Sequence, residues 1–253
     1  MIPDTLDRWT NVAVHALLAR HGLESDRVEF KLQLPRDPKG KLRLRRTCAA
    51  LANSGGGFLL FGIDDDRMKD VFARMVGLEP ELDFAQHFSP FPGECTPSVD
   101  WDFLNPPIQT PTGTVIHVVQ IHAGWRPPYG VRIRDGAYEF DKRTSGGNER
   151  MSYEEIAMKF QHEQDRVRKV ELLLSEVRLM ASQAKNAPHG EPLMEHFQLE
   201  VVESLLPAVF PVIQREEGLV ESLFELRSEV RKSNHLLRHG VSILLPEYSQ
   251  ASA

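Results

Sequence analysis

Acidic and basic side chains crowd one stretch, Glu24 to Asp66, and their types suit phosphate chemistry. Glu24 and Glu29 stand five residues apart, and Asp65 sits between Asp64 and Asp66 just after an apolar run. Carboxylates of this kind can hold a divalent cation, which activates water and neutralises the oxyanion that develops as a phosphodiester breaks. If the segments carrying Glu29 and Asp65 pair as neighbouring strands, acids from both converge on one metal. The same carboxylates also fit a plainer role, as surface acids paired with Lys31 or nearby arginines. Spacing alone leaves both open.

The basic partner of these acids is one dense cluster, Arg36, Lys39, Lys41, Arg43, Arg45 and Arg46, with Asp37 as its sole acid. On a helix, Lys39, Arg43 and Arg46 fall within a narrow arc, while Leu44, Cys48 and Leu51 fall on nearly the opposite side. One face buries and the other presents cations. Such a face grips a phosphate backbone by Coulomb attraction and counterion release, and a merely solvated helix face is the alternative. Lys142 and Arg143, at the end of a later strand, can reach a phosphate or simply flank an exposed turn.

Other chemistries find less support. Asn53-Ser54-Gly55-Gly56-Gly57 lacks the Walker pattern and leads into a strand instead of a helix, which argues against ATP. It reads as a helix-to-strand turn with Asn53 capping. His117 and His122 lie in a Val- and Ile-rich strand as core or edge residues. Cys48 and Cys95 have no Cys/His partners at zinc spacing, so neither a structural zinc nor a disulfide framework is expected, and a reducing compartment fits. The net charge of −6 gives no global basic field. Residues 1–150 carry −1 of it and 151–253 the remaining −5, so acidity concentrates in the tail. With no signal-peptide pattern and no apolar run of membrane-spanning length, a soluble cytoplasmic protein is expected.

The elements that must position these residues follow from periodicity. Residues 4–21 read as a helix and 27–34 as a strand, with Val28, Phe30, Leu32 and Leu34 on one face and Glu29, Lys31 and Gln33 on the other. Residues 39–53 read as the two-faced helix and 58–63 as a central strand. The prolines of 67–97 predict a loop-rich passage. Val99–Leu104 and Thr114–His122 are expected strands, and Tyr138–Lys142 is expected to close the sheet. Ser152 to Glu155 forms a capping box opening a long helix. Its apolar seam reads Ile156, Phe160, Val167, Val170, Leu174, Val177 and Ala181. A connector at Pro188–Pro192, a helix over Met194–Leu206, a break or kink at Pro207 and Pro211, and a helix over Leu219–Leu237 complete the chain. This predicts two domains: residues 1–160, and a helical extension over 161–253 that is a bundle or coiled coil. The extension packs within its own chain, joins copies into a homo-oligomer, or docks a partner protein.

Taken in combination, Glu24-x4-Glu29-Phe30-Lys31, Ala50-x-Ala52-Asn53-x-x-Gly56-Gly57 and Phe61-Gly62-Ile63-Asp64-Asp65 resemble the Schlafen-type AlbA_2 domain. Tyr138 to Ser145 and Ser152-x-x-Glu155-Ile156 look like its closing strand and following helix. The resemblance implies an α+β fold, a mixed sheet with flanking helices. It also implies one of two functions. The first is a metal-dependent endoribonuclease acting on structured RNA such as tRNA, in stress or defence. There Glu24, Glu29 and Asp65 hold Mg²⁺ or Mn²⁺, and Lys31 biases the carboxylates or contacts the scissile phosphate. The alternative is a non-catalytic DNA-binding or transcriptional regulator with a helical oligomerisation module. The zinc site and second lobe of the animal proteins are missing from this sequence, and a homodimer through the C-terminal helices could supply a complete RNA-embracing groove.

Overall fold

The computed structural model describes residues 2–20, 26–133, 136–186, 199–213 and 218–238, so Glu24 lies outside the described residues. The chain divides into two compact units, Met1–Phe160 and Gln161–Ala253. The first helix is shorter than its periodicity suggests. A 3-10 turn covers Leu6–Arg8, Trp9 is extended, and α1 runs over Asn11–Ala19. Its start is set by Thr10, whose hydroxyl accepts from the Ala13 amide at 3.2 Å.

Five strands form the first sheet: β1 (Val28–Lys31), β2 (Gly57–Phe61), β4 (Trp101–Phe103), β5 (Ile108–Gln109) and β6 (Val115–Ile121). The order is β1-β2-β6-β4, with β5 also on β6. The β1–β2 pair is parallel and the others antiparallel, which makes the sheet mixed. β2 is apolar throughout because both of its faces are covered. Phe58 and Leu60 join α1 and Trp9 on one side, whereas Leu59 and Phe61 join Leu44, Cys48 and Leu51 of α2 (Pro38–Asn53) on the other. β1 stops at Lys31, shorter than expected, since the carbonyl of Lys31 accepts from both Gly62 and Ile63 as β2 turns away. Leu32 is left exposed.

The expectation that Tyr138–Lys142 closes this sheet is corrected. β8 (Tyr138–Thr144) belongs to a second, antiparallel sheet ordered β3-β7-β8-β9, with β3 Cys95–Thr96, β7 Gly130–Arg132 and β9 Gly147–Arg150. The core cluster around α2 draws residues from both sheets, Val119 and Ile121 from β6 with Cys95 and Val131 from β3 and β7. That two-sided cover explains why α2 is buried from Thr47 to Asn53, beyond a simple amphipathic stripe. The passage expected to be loop-rich contains three short helices, α3 (Val71–Arg74), α4 (Phe84–Phe88) and α5 (Pro90–Gly93), anchored by buried Phe84, Phe88 and Phe91.

The long helix α6 covers Tyr153–Asn186; beyond it come α7 (Leu199–Ile213) and α8 (Leu219–Arg238). α7 continues without a break through Pro207 and Pro211, where a break or a kink was expected. Leu173 and Met180 of α6 share a buried cluster with Val202, Val209 and Val230 of α7 and α8. The expected α6 seam holds at Val170 and Val177, which pack on the cluster, but Val167 and Leu174 are exposed and Leu173 and Met180 are the buried positions. A 3–4 spacing can be read in either register here, because Leu173 and Leu174 are both apolar. Pro188–Pro192 and the first residues of the expected Met194–Leu206 helix lie outside the described residues.

Candidate nucleic-acid interface

α2 begins at the carboxyl end of β1, with Asp37 accepting from the Gly40 amide at 2.8 Å and Pro38 at the first helical position. Around this start the cationic cluster divides. Arg36, Lys39, Lys41 and Arg43 are exposed and make no ion pair among the described residues. The other two do have acids, which corrects the reading of six cations with only Asp37 near. Arg45 pairs with Glu94. Arg46 Nε donates to Asp141 at 2.6 Å, and its Nη1 lies 3.3 Å from Glu139. The hydrogen bond to Asp141 outweighs partial burial and holds the Arg46 pKa above its ordinary value. Arg46 therefore ties α2 to β8.

Glu29 is not on an open polar face. It shares the α2 side of the sheet with its register partner Leu59, and its two oxygens are taken, one by Lys31 Nζ and the other by Arg143 Nη2. The Arg143 side chain is only 3% exposed, and it also donates to Asn148 at 3.0 Å. Asn148 in turn donates to the Thr47 hydroxyl at 2.9 Å, which joins β1, β9 and α2 in one network. Arg143 is thus a buried counter-ion instead of a surface cation. Asp65 is exposed beyond the end of β2, and the structure brings it into no hydrogen bond or ion pair with Glu29. Its neighbour Asp64 is held by Lys69 at 2.6 Å, and that bond keeps the Asp64 carboxyl below the usual range. Among the described residues no group of three His, Cys, Asp or Glu is arranged to hold a metal ion. Of the acids expected to hold a metal, Glu29 is engaged by two cations and Glu24 lies outside the described residues.

A family model described as Schlafen, AlbA_2 matches residues 24–152, just over half of the chain. The chain belongs to this family. The match opens at Glu24, takes in α2 and both sheets, and ends at the Ser152 capping box of α6. AlbA_2 membership connects the protein with nucleic-acid-related function. Among solved structures, the DIP2311 protein from Corynebacterium diphtheriae is similar at 18% identity with a TM-score of 0.37, over 55% of this chain and 24% of that one. The chain thus spans about a quarter of that protein's length. No curated protein matches it. Among the described residues, no helix is long and apolar enough to cross a membrane.

Several residues of the AlbA_2 domain take roles that sequence reasoning missed or misjudged. Asn53 does not cap α2; Ser54 does. Its side-chain nitrogen donates at 2.9 Å to the carbonyls of Tyr129 and Asp141, and its oxygen accepts from the Tyr129 amide at 2.8 Å. Gly56 and Gly57 are required by close approach: Gly56 has φ 83° and a Cβ there would sit 2.7 Å from the Ile121 carbonyl oxygen, while a Cβ on Gly57 would sit 2.5 Å from that of Arg27. Lys142 is paired with Glu155 at 2.6 Å, which raises the lysine pKa and lowers the glutamate's. Glu155 also accepts from the Ser152 amide at 2.9 Å while the Ser152 hydroxyl accepts from Glu155 N, so the capping box and the ion pair share one carboxylate. Burial pushes the Cys95 thiol up to about 12 and Cys48 well above its ordinary value, so neither is a thiolate nucleophile near neutrality. Asp141, Glu139 and Glu94, the acids that quench Arg46 and Arg45, carry no local motif and come from distant positions in the chain.

Proposed function

We propose that the protein binds nucleic acid by its phosphate backbone, on the exposed cations at and before the start of α2. The observation that carries this is the set Arg36, Lys39, Lys41 and Arg43, all exposed and without an acid partner among the described residues. Exposed lysines and arginines held on a rigid helix track phosphates without reading bases. The helix start adds its positive dipole end to the same region. Glu29 and Arg143 act in this reading as the buried pair that fixes β1 against β8, with Lys31 as its second cation.

A second reading is favoured by one observation, the unengaged and exposed carboxylate of Asp65 beside the end of the strand pair that carries Glu29. It is the Schlafen-type endoribonuclease, with Mg²⁺ or Mn²⁺ held by Glu24, Glu29 and Asp65 and structured RNA such as tRNA as substrate. One experiment separates the two. Purified full-length protein is incubated with total tRNA and Mn²⁺ or Mg²⁺, with and without chelator, while retention of the RNA is measured in parallel. Retention without cleavage, weakened by Lys39→Gln/Arg43→Gln, supports binding alone. Chelator-sensitive cleavage abolished by Asp65→Ala supports the nuclease. Neither retention nor cleavage, for RNA or for duplex DNA, overturns both.

A further inference from the structure

A cleft of about 700 Å³ opens beside the start of α2, between the loop that follows β1 and the segment from Gly77 to Glu94. It lies at the carboxyl ends of two parallel strands and at a helix N-terminus, where crossover connections commonly leave room for a ligand. Its size falls within the range of roughly 300–1,000 Å³ that holds small ligands. The floor is apolar: Leu34, Leu78, Leu82 and Phe91 line it, and all four belong to or pack on the core cluster around α2. Arg36, Lys41 and Arg45 line it as well. The far wall is fixed by backbone bonds, Gly77 N to Gly62 O at 2.8 Å and Leu78 N to Val115 O at 2.7 Å. A Cβ on Gly62 (φ 93°) would lie 2.8 Å from the Gly77 Cα, and one on Gly77 (φ 72°) would collide with the Thr114 hydroxyl oxygen.

We propose that this cleft is a subsite for one nucleotide unit carrying a single phosphate, with the phosphate on Arg36 and Lys41 and the base on the apolar floor. The proposal rests on the nucleic-acid reading above and deepens it. The charges of the lining decide the phosphate count. Glu94 already answers Arg45, and exposed Glu79 stands in the lining without a cation partner among the described residues. Two free cations against one free acid suit one phosphate and disfavour a polyphosphate chain. His87 supplies a directional group. Its Nδ1 lies 2.7 Å from the Asp83 carbonyl, which only accepts, so Nδ1 donates and Nε2 of the neutral ring is an acceptor for a base amino group or a ribose hydroxyl. An apolar lining that includes the Phe91 ring, beside Arg36 and Lys41, suits a splayed base attached to a backbone that continues along α2 past Lys39 and Arg43, and unpaired nucleotides are recognised by pairing an aromatic ring with cations in this way.

The test titrates full-length protein by NMR or calorimetry with the four nucleoside monophosphates, a nucleoside triphosphate, inorganic phosphate and an unphosphorylated nucleoside. A labelled 12-nucleotide RNA is measured alongside. All four altered residues are exposed, so the fold is spared. At least one monophosphate is expected to bind tenfold or more tightly than phosphate, the nucleoside or the triphosphate. Arg36→Gln/Lys41→Gln should weaken it tenfold or more, and Arg168→Gln/Lys169→Gln, at exposed positions of α6, should leave it unchanged. If the RNA binds but no monophosphate does, or phosphate alone binds equally well, the subsite is overturned and the backbone-binding reading stands. If a monophosphate binds with this variant pattern and the RNA does not, the subsite stands and that reading fails. If nothing binds, both fall.

Discussion

Glu29 holds two cations, and this changes what its removal would report. Glu29→Ala leaves the Arg143 guanidinium buried without its counter-ion, and breaking such a pair costs about 3–5 kcal/mol. We predict a loss of that order in urea unfolding, with Glu29→Gln milder, whereas Asp65→Ala at an exposed position changes stability by less than about 0.5 kcal/mol. Lost activity in Glu29→Ala alone is therefore poor evidence for catalysis; Asp65→Ala is the informative variant. His117 gives a second prediction at this scale. It is buried in β6, stacked on Phe84 with ring centroids 4.1 Å apart, and neither ring nitrogen has a hydrogen-bond partner among the described residues. Burial lowers its pKa to about 4, against roughly 6.5 in an unfolded chain. Between those values the unfolded state binds more protons, so stability rises with pH across the window and is lost as pH falls from about 6.5 towards 4. The full loss is at most about 3 kcal/mol. His117→Leu should flatten that part of the profile in unfolding measured between pH 4 and 7.

α2 is the element on which the two sheets and the cationic face depend. Asn53 clamps its end to Tyr129 and Asp141, and Asn53→Ala would strand a buried amide and two carbonyls. We predict a destabilisation of about 2–4 kcal/mol, read as an earlier urea midpoint with an unchanged slope. The buried positions Leu44, Cys48 and Leu51 were legible in the sequence because helical periodicity is local. So were β2, whose apolar run reflects cover on both faces, and the Ser152–Glu155 box. What periodicity does not carry is long-range pairing. Nothing local indicates that Arg46 meets Asp141, that Arg143 reaches Glu29, or that β8 joins a second sheet. Half of the twelve candidate residues are engaged in internal ion pairs, while Arg36, Lys39, Lys41, Arg43 and Asp65 stay exposed.

At the scale of the whole molecule, the AlbA_2 match and both sheets lie within Met1–Phe160, while α7 and α8 lie in the second unit. A chain ending at residue 160 is predicted to fold and to keep its nucleic-acid affinity within about threefold; a homo-oligomer held by the C-terminal helices would revert to monomer mass in sedimentation. If instead the truncated chain lost binding while still folded, the second unit would belong to the interface. The most direct check on backbone gripping by α2 is the salt dependence of binding to a single-stranded oligonucleotide, measured by fluorescence anisotropy from low to physiological salt. Each phosphate contact contributes about −0.7 to the slope of log K against log salt, so Lys39→Gln/Arg43→Gln should make the slope shallower by about 1.4 and weaken binding across all sequences alike. A slope unchanged by that double substitution, or binding that does not weaken with salt, would contradict it.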